Sequence, residues 1–146
     1  NALLVLTERN VWGAIFEKHK KFHLDQAEDM LRKAGLWEKR NELAENLSYG
    51  QRKLLEISRA VLMKSKIYFF DEPFAGLFSE MIKIVGKILI ELKENGASVV
   101  LVEHNMDLIR ELADYCYVLD AGKVIAEGTP EKVLKENSVV EAYLGK

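Results

Sequence analysis

Three short segments of this 146-residue chain carry residue types suited to phosphate chemistry: Leu47-Ser48-Tyr49-Gly50-Gln51, then Ile67-Tyr68-Phe69-Phe70-Asp71-Glu72-Pro73, then Val102-Glu103-His104. Neighbouring carboxylates offer hard oxygen ligands to a divalent cation and a base for a water molecule. In an open α/β sheet, ligands bind beyond the carboxyl ends of the strands, and Asp71 and Glu72 stand just past an apolar strand-like run. An acid pair ahead of a proline is also a common solvated turn, so position alone does not assign it. His104 follows the next apolar run, and a parallel pairing of the two runs brings it to the same edge of the sheet as the acids. A lone histidine is more often structural; with an acid pair on its edge, contact to a terminal phosphate is the better reading.

Ser48 and Gln51 have the spacing of a capping box, in which each side chain satisfies the other's backbone N–H at a helix start. Capping leaves Gly50 unexplained, because glycine in the first turn costs about 0.5–1 kcal/mol relative to alanine. Close approach of a ligand to the backbone would explain it. Arg52 and Lys53 then place two cations near the positive end of the helix dipole, an arrangement that an anion would relieve. Taken alone, the segment fits capping and phosphate binding equally; the downstream acids and histidine favour phosphate.

The elements that must hold these residues follow from hydrophobic spacing. A charged helical region reaches to about Leu47, with Asp25-Gln26-Ala27-Glu28 as a capping box and Gly35 as a stop. Leu54, Ile57 and Val61 predict a helix from Tyr49 to about Lys64. Ile67 to Phe70 and Ser98 to Val102 are short continuous apolar runs, expected to be strands buried on both faces. Between them Met81, Ile84, Val85, Ile88 and Leu92 line a helix closed by Asn95-Gly96. Strand, helix and strand at this spacing form a parallel crossover, so the fold class is α/β. A helix from Met106 capped by Asn105, a hairpin turning at Asp120-Ala121-Gly122, and a helix starting at Thr129-Pro130 complete the chain.

Composition excludes several classes. A net charge of −2 supplies no global basic field for nucleic acid. The single cysteine, Cys116, rules out a disulfide framework and reads as a buried reduced thiol of a reducing compartment. No apolar run approaches the length of a membrane span, and no signal-peptide layout is present. His19 and His23 read as part of a solvated helix face, with no grouping nearby to complete a zinc set. The chain opens on Asn1 with an apolar segment already under way, as a chain entered mid-domain would.

With these residues in view, the chain resembles the C-terminal part of an ATP-binding-cassette (ABC) transporter ATPase. Leu47 to Gln51 matches the signature motif, Ile67 to Glu72 the Walker B strand and acid, Ala75-Gly76-Leu77-Phe78 the D-loop, and His104 the switch histidine. The details are most similar to the ATPases of branched-chain amino-acid importers: a tyrosine in the signature, Glu103-His104-Asn105-Met106-Asp107, Glu127-Gly128-Thr129-Pro130-Glu131, and Ala142-Tyr143-Leu144-Gly145. The resemblance implies a truncated P-loop NTPase domain with a parallel sheet core, a helical subdomain at its N-terminal end, and a C-terminal β-hairpin and helices. Residues 1–64 are expected to be the helical subdomain with the signature helix, and 65–146 the C-terminal half of the nucleotide-binding core.

The implied roles are ATP contact in trans by Ser48, Tyr49, Gly50 and Gln51, Mg²⁺ held through water by Asp71, and catalysis by Glu72 and His104. ATP and Mg²⁺ are the implied cofactors. A second ATPase subunit, membrane permease subunits and, indirectly, an extracytoplasmic solute-binding protein are the implied partners, at the cytoplasmic face of the membrane. Two features depart from the family. Phe78 replaces a usual polar residue and is followed by Ser79 where importers have proline. No Gly-x-x-x-x-Gly-Lys-[Ser/Thr] loop is present: the Gly-Lys pairs at Gly86, Gly122 and Gly145 lack the rest of the motif. The chain by itself is therefore expected to be inactive. The alternative is a non-catalytic remnant or interaction module of the same fold; a DNA-repair or translation ATPase would carry long insertions or tandem cassettes that this chain lacks.

Overall fold

The computed structural model describes residues 17–144, which cluster into two compact units, one ending at Leu101 and one starting at Val102. The expectation for His19 and His23 concerns side chains outside those described.

Among the described residues the first element is α1 (Glu17–Lys33). Asp25 lies inside this helix, so the cap expected there is corrected. The residues ahead of Asp25 are themselves helical, and a capping box needs a non-helical residue at its first position. The stop at Gly35 is as expected. Its φ of 67°, with hydrogen bonds from Leu36 N to Leu31 O at 2.7 Å and from Gly35 N to Arg32 O at 3.0 Å, makes a Schellman end. Trp37 follows, with the guanidinium groups of Arg32 and Arg40 over its ring at 4.6 and 4.5 Å from the centroid.

Then come α2 (Tyr49–Leu62), β1 (Ile67–Asp71), α3 (Ser79–Glu94) and β2 (Ser98–Val102). Strands β1 and β2 are hydrogen-bonded neighbours in a parallel sheet, with α3 as the crossover between them. Helix α1 packs on α2, and α2 on α3. Met30, Ala34, Leu54, Ile57, Val85, Ile88 and Leu89 form the buried interior. A fully buried leucine such as Leu54 stabilises the fold by about 1.5–3 kcal/mol.

The expectation that both strands are buried on both faces is corrected. Along β1, Tyr68 and Phe70 are buried while Ile67 is 54% and Phe69 77% exposed. Burial is one-sided because only alternate residues meet the helices. The buried rings of Tyr68 and Phe70 stack at 6.1 Å, and the Tyr68 hydroxyl donates to Val61 O in the last turn of α2 while accepting from Ser65 N at 2.9 Å.

In the second unit α4 (Met106–Leu112) starts at Asn105, whose side chain accepts from Asp107 N and Leu108 N as the sequence indicates. Strands β3 (Cys116–Asp120) and β4 (Lys123–Gly128) pair antiparallel across a turn with φ of 45° at Ala121 and 77° at Gly122. A bulge interrupts the ladder: Val118 faces Ala126 but Leu119 faces Val124, leaving Ile125 as the extra residue. Short helices α5 (Pro130–Val133) and α6 (Asn137–Val139) and a π-helical turn (Val140–Leu144) follow. Thr129 occupies the N-cap position of α5 without a capping hydrogen bond from its side chain, so Pro130 at the first helical position carries the start. Ala126, Val133 and Val139 form this unit's core, with Val118, Ile125 and Leu134 packed against it. The Tyr143 hydroxyl donates to Leu119 O, tying the terminal turn to β3. Cys116 is half-buried rather than buried, and burial raises its thiol pKa, with Glu131 adding to the effect.

Candidate functional site

The start of α2 is built as the sequence indicates. Ser48 has extended backbone (φ −62°, ψ 164°); its Oγ accepts from Gln51 N at 3.3 Å, and Gln51 Oε1 accepts from Ser48 N at 3.0 Å. No acidic residue occupies the first turn, so the positive helix end is not neutralised from within.

Gly50 has a structural explanation that the sequence did not suggest. It is buried against α3, and a Cβ there would lie 2.5 Å from Met81 Sδ and 3.4 Å from Leu77 Cδ2. Packing thus favours a small residue at this position whether or not a ligand approaches, since a Cβ would oblige the Met81 side chain to move. The two cations also differ from expectation: both are turned toward carbonyl oxygens. Arg52 Nη1 donates to Leu47 O, and Lys53 Nζ donates to Glu72 O at 2.6 Å and Ala75 O at 3.2 Å. Spacing within α2 cannot reveal the Lys53 contacts, because their acceptors lie 19 and 22 residues away.

Asp71 ends β1 and is exposed, and Glu72, exposed beside it, has a φ of 44°. Left-handed backbone is uncommon for a residue with a Cβ. Two neighbours anchor it: Pro73 and Phe74 are buried directly after the acids, and Ala75 N donates to Glu72 O at 3.2 Å. The result is an acid pair presented to solvent at the carboxyl end of a strand, on a loop fastened below by apolar contacts. Gly76, with φ of 72°, lies against the Tyr49 ring so closely that a Cβ would be 2.9 Å from Cε1. Ser48 to Gln51 and Asp71-Glu72 are thus joined through Lys53 and Tyr49 within one unit.

His104 belongs to the second unit and its side chain is 68% exposed. Its backbone is held by Glu103, whose Oε2 accepts from His104 N at 3.0 Å and Asn105 N at 3.2 Å. The Glu103 side chain is only 2% exposed, and its Oε1 is buried without a hydrogen-bond partner. Sequence reasoning passed over Glu103; an acid closing an apolar strand immediately before the histidine was the available signal.

Among the described residues no group of three or more His, Cys, Asp or Glu side chains is arranged to hold a metal. One or two carboxylates with waters and substrate phosphates suffice for Mg²⁺, so Asp71 and Glu72 fit that cation rather than a protein cage.

Residues 5–75 match the family model described as ABC transporter. The arginine transport ATP-binding protein ArtM of Bacillus subtilis is 40% identical over 80% of this chain and 48% of its own length. The high-affinity branched-chain amino acid transport ATP-binding protein LivG of Escherichia coli is 36% identical over 89% of this chain and 51% of its own. The lipopolysaccharide export system ATP-binding protein LptB of Haemophilus influenzae is also 36% identical, over 83% of this chain and 50% of its own length. The ADP conformation of an ATP-binding cassette of an ABC transporter superposes with a TM-score of 0.73 at 28% identity, covering 99% of this chain and 63% of that one. The chain spans about half the length of the curated relatives it matches. By sequence and by fold, the chain is similar to the ATP-binding subunits of ABC transporters, branched-chain amino-acid transport members among them.

Proposed function

We propose that the chain is part of the ATP-binding subunit of a transporter that hydrolyses ATP to drive solute import, with branched-chain amino acids as the solute. The observation that carries this reading is the conjunction, in one unit, of a capped helix start lacking internal acids and an exposed acid pair at the carboxyl end of β1. LivG supports the solute; ArtM, of arginine transport, and LptB, of lipopolysaccharide export, mark solute and direction as the finer part of the proposal.

ATP bound with Mg²⁺ supplies the phosphoanhydride bond to be cleaved. Asp71 would hold the cation through water, and Glu72 would orient the attacking water and accept its proton as the terminal phosphate leaves ADP. The His104 ring donates to the terminal phosphate oxygens, on a backbone steadied by Glu103. The Ser48 hydroxyl and the backbone from Tyr49 to Gln51 face nucleotide held by a second ATPase subunit. Permease subunits, with a solute-binding protein acting through them, are the further partners. Among the described residues no helix is long and apolar enough to cross a membrane, and peripheral attachment at its cytoplasmic face is part of the same proposal.

The lack of a Gly-Lys phosphate loop implies that this chain by itself does not turn over ATP. The test is to express it with the coding sequence that precedes it in frame and measure ATP hydrolysis for the unsubstituted protein and Glu72→Gln. The expected result is turnover that Glu72→Gln abolishes while nucleotide binding persists. A wild-type rate in Glu72→Gln removes the catalytic role, and a stop codon directly upstream favours the non-catalytic module.

A further inference from the structure

The contact between α2 and the loop after β1 has no role in the reading above. Lys53 reaches across from the second turn of α2, and its ammonium bridges Glu72 O and Ala75 O at 2.6 and 3.2 Å. The bridged segment begins on left-handed backbone, with φ of 44° at Glu72, and is followed by a second positive φ, 72° at Gly76. An ammonium is a strong donor, and its bonds to carbonyl oxygens are stronger than neutral ones. The Tyr49 ring, one turn earlier on the same helix, lies against Gly76 and is 6.0 Å from Lys53 Nζ. Helix start and acid-bearing loop therefore form one mechanical piece, with Lys53 as its polar fastening.

We propose that Lys53 is a positioning residue for Glu72: by bridging Glu72 O and Ala75 O it holds the left-handed backbone that aims the Glu72 carboxylate, and it couples the pose of that acid to the start of α2. The catalytic part rests on the ATPase reading; the structural part does not. With Ser48 to Gln51 facing one nucleotide and Glu72 serving another, a shift at either end is transmitted through Lys53 over a single side chain's length. Charge at position 53 then acts inward on the loop and does not attract phosphate, so its removal affects turnover rather than nucleotide affinity.

Two measurements test this on the protein expressed with its in-frame upstream sequence. Lys53→Met keeps the aliphatic stem and removes the donor, and Lys53→Arg restores donors. In Lys53→Met, amide hydrogen exchange at residues 72–77 should accelerate while exchange in the interior of α2 is unchanged. Turnover should fall by roughly 10- to 100-fold with KM for ATP unaltered, as misplacement of a catalytic group costs rate. Lys53→Arg should recover part of both. Unchanged exchange at residues 72–77 in Lys53→Met overturns the proposal, whatever the turnover. Faster exchange with unchanged kcat, or a rise in KM at constant kcat, also overturns it. If the unsubstituted protein shows no turnover, the ATPase reading fails, and the exchange measurement alone decides whether Lys53 holds the loop.

Discussion

Helix α3 begins without a cap, and supplying one should stabilise the protein by an amount the structure allows to be worked out. Phe78 occupies the N-cap position with extended backbone (φ −74°, ψ 157°), close to that of Ser48 at the start of α2, but no side chain caps the helix. Replacing it with aspartate adds a cap contributing about 1 kcal/mol and a negative charge at the helix start contributing about 0.3–1 kcal/mol. The Phe78 side chain is 80% exposed, so little apolar burial is given up. Even a fifth of a phenylalanine's burial is only about 0.5 kcal/mol. Phe78→Ala loses the same burial and gains no cap, which makes it the reference. Phe78→Asp should exceed Phe78→Ala by about 1 kcal/mol or more, a shift of about 0.5 M in the urea midpoint at slopes of roughly 2 kcal/mol/M. Phe78→Asn should retain the capping share and lose the salt-sensitive charge share. Equal midpoints for the aspartate and alanine variants would refute the reasoning, because they would mean that the first-turn amides of α3 do not need the partner that the geometry offers.

Further outcomes are expected. Gly50→Ala should change stability by no more than about 1 kcal/mol, because the Met81 thioether that its Cβ would meet is the movable end of a flexible side chain and alanine's helix preference offsets the shift; a loss of several kcal/mol in denaturant would show that Met81 cannot move aside. Gly76→Ala should cost more than about 1 kcal/mol, from positive φ together with the Tyr49 contact; an unchanged melting temperature would contradict it. The half-buried Cys116 thiol has a raised pKa because burial disfavours the thiolate, so native-state alkylation should gain rate only at higher pH than for a free cysteine, and a profile matching the denatured chain would count against that burial.

Local signals were legible wherever the physics was local. The reciprocal bonds of Ser48 and Gln51, the Asn105 cap, the glycine stop at Gly35 and the positive-φ turn at Ala121-Gly122 each depend on residues within about five positions of one another. What failed depended on distant neighbours. Continuous apolar runs indicated strands but not how many faces a neighbour covers, so Phe69 was misread. Gly50 and Lys53 were both read for a ligand, because nothing in the sequence near them announces Met81 or the Glu72 carbonyl. Asp25 shows the converse: a short motif matched its template inside a helix that continues past it. The acids themselves were placed correctly at the end of β1, since a strand's carboxyl end is set by its own apolar run.

The bulge in β4 bears on how the second unit avoids mispairing. Strict alternation forbids two consecutive residues from pointing the same way, yet Ile125 and Ala126 both meet the cluster formed with Val133 and Val139. The extra residue makes that possible and leaves the hairpin with a single acceptable alignment, since sliding either strand by one position would expose one set of apolar groups and strand the other. A kinked, strongly twisted ribbon is also a poor template for a passing strand, which matters for a hairpin whose Tyr117, Leu119 and Val124 are open to solvent. Deleting Ile125 would yield a flatter, regular ribbon with two competing alignments, and self-association in place of a simple loss of stability would be its signature.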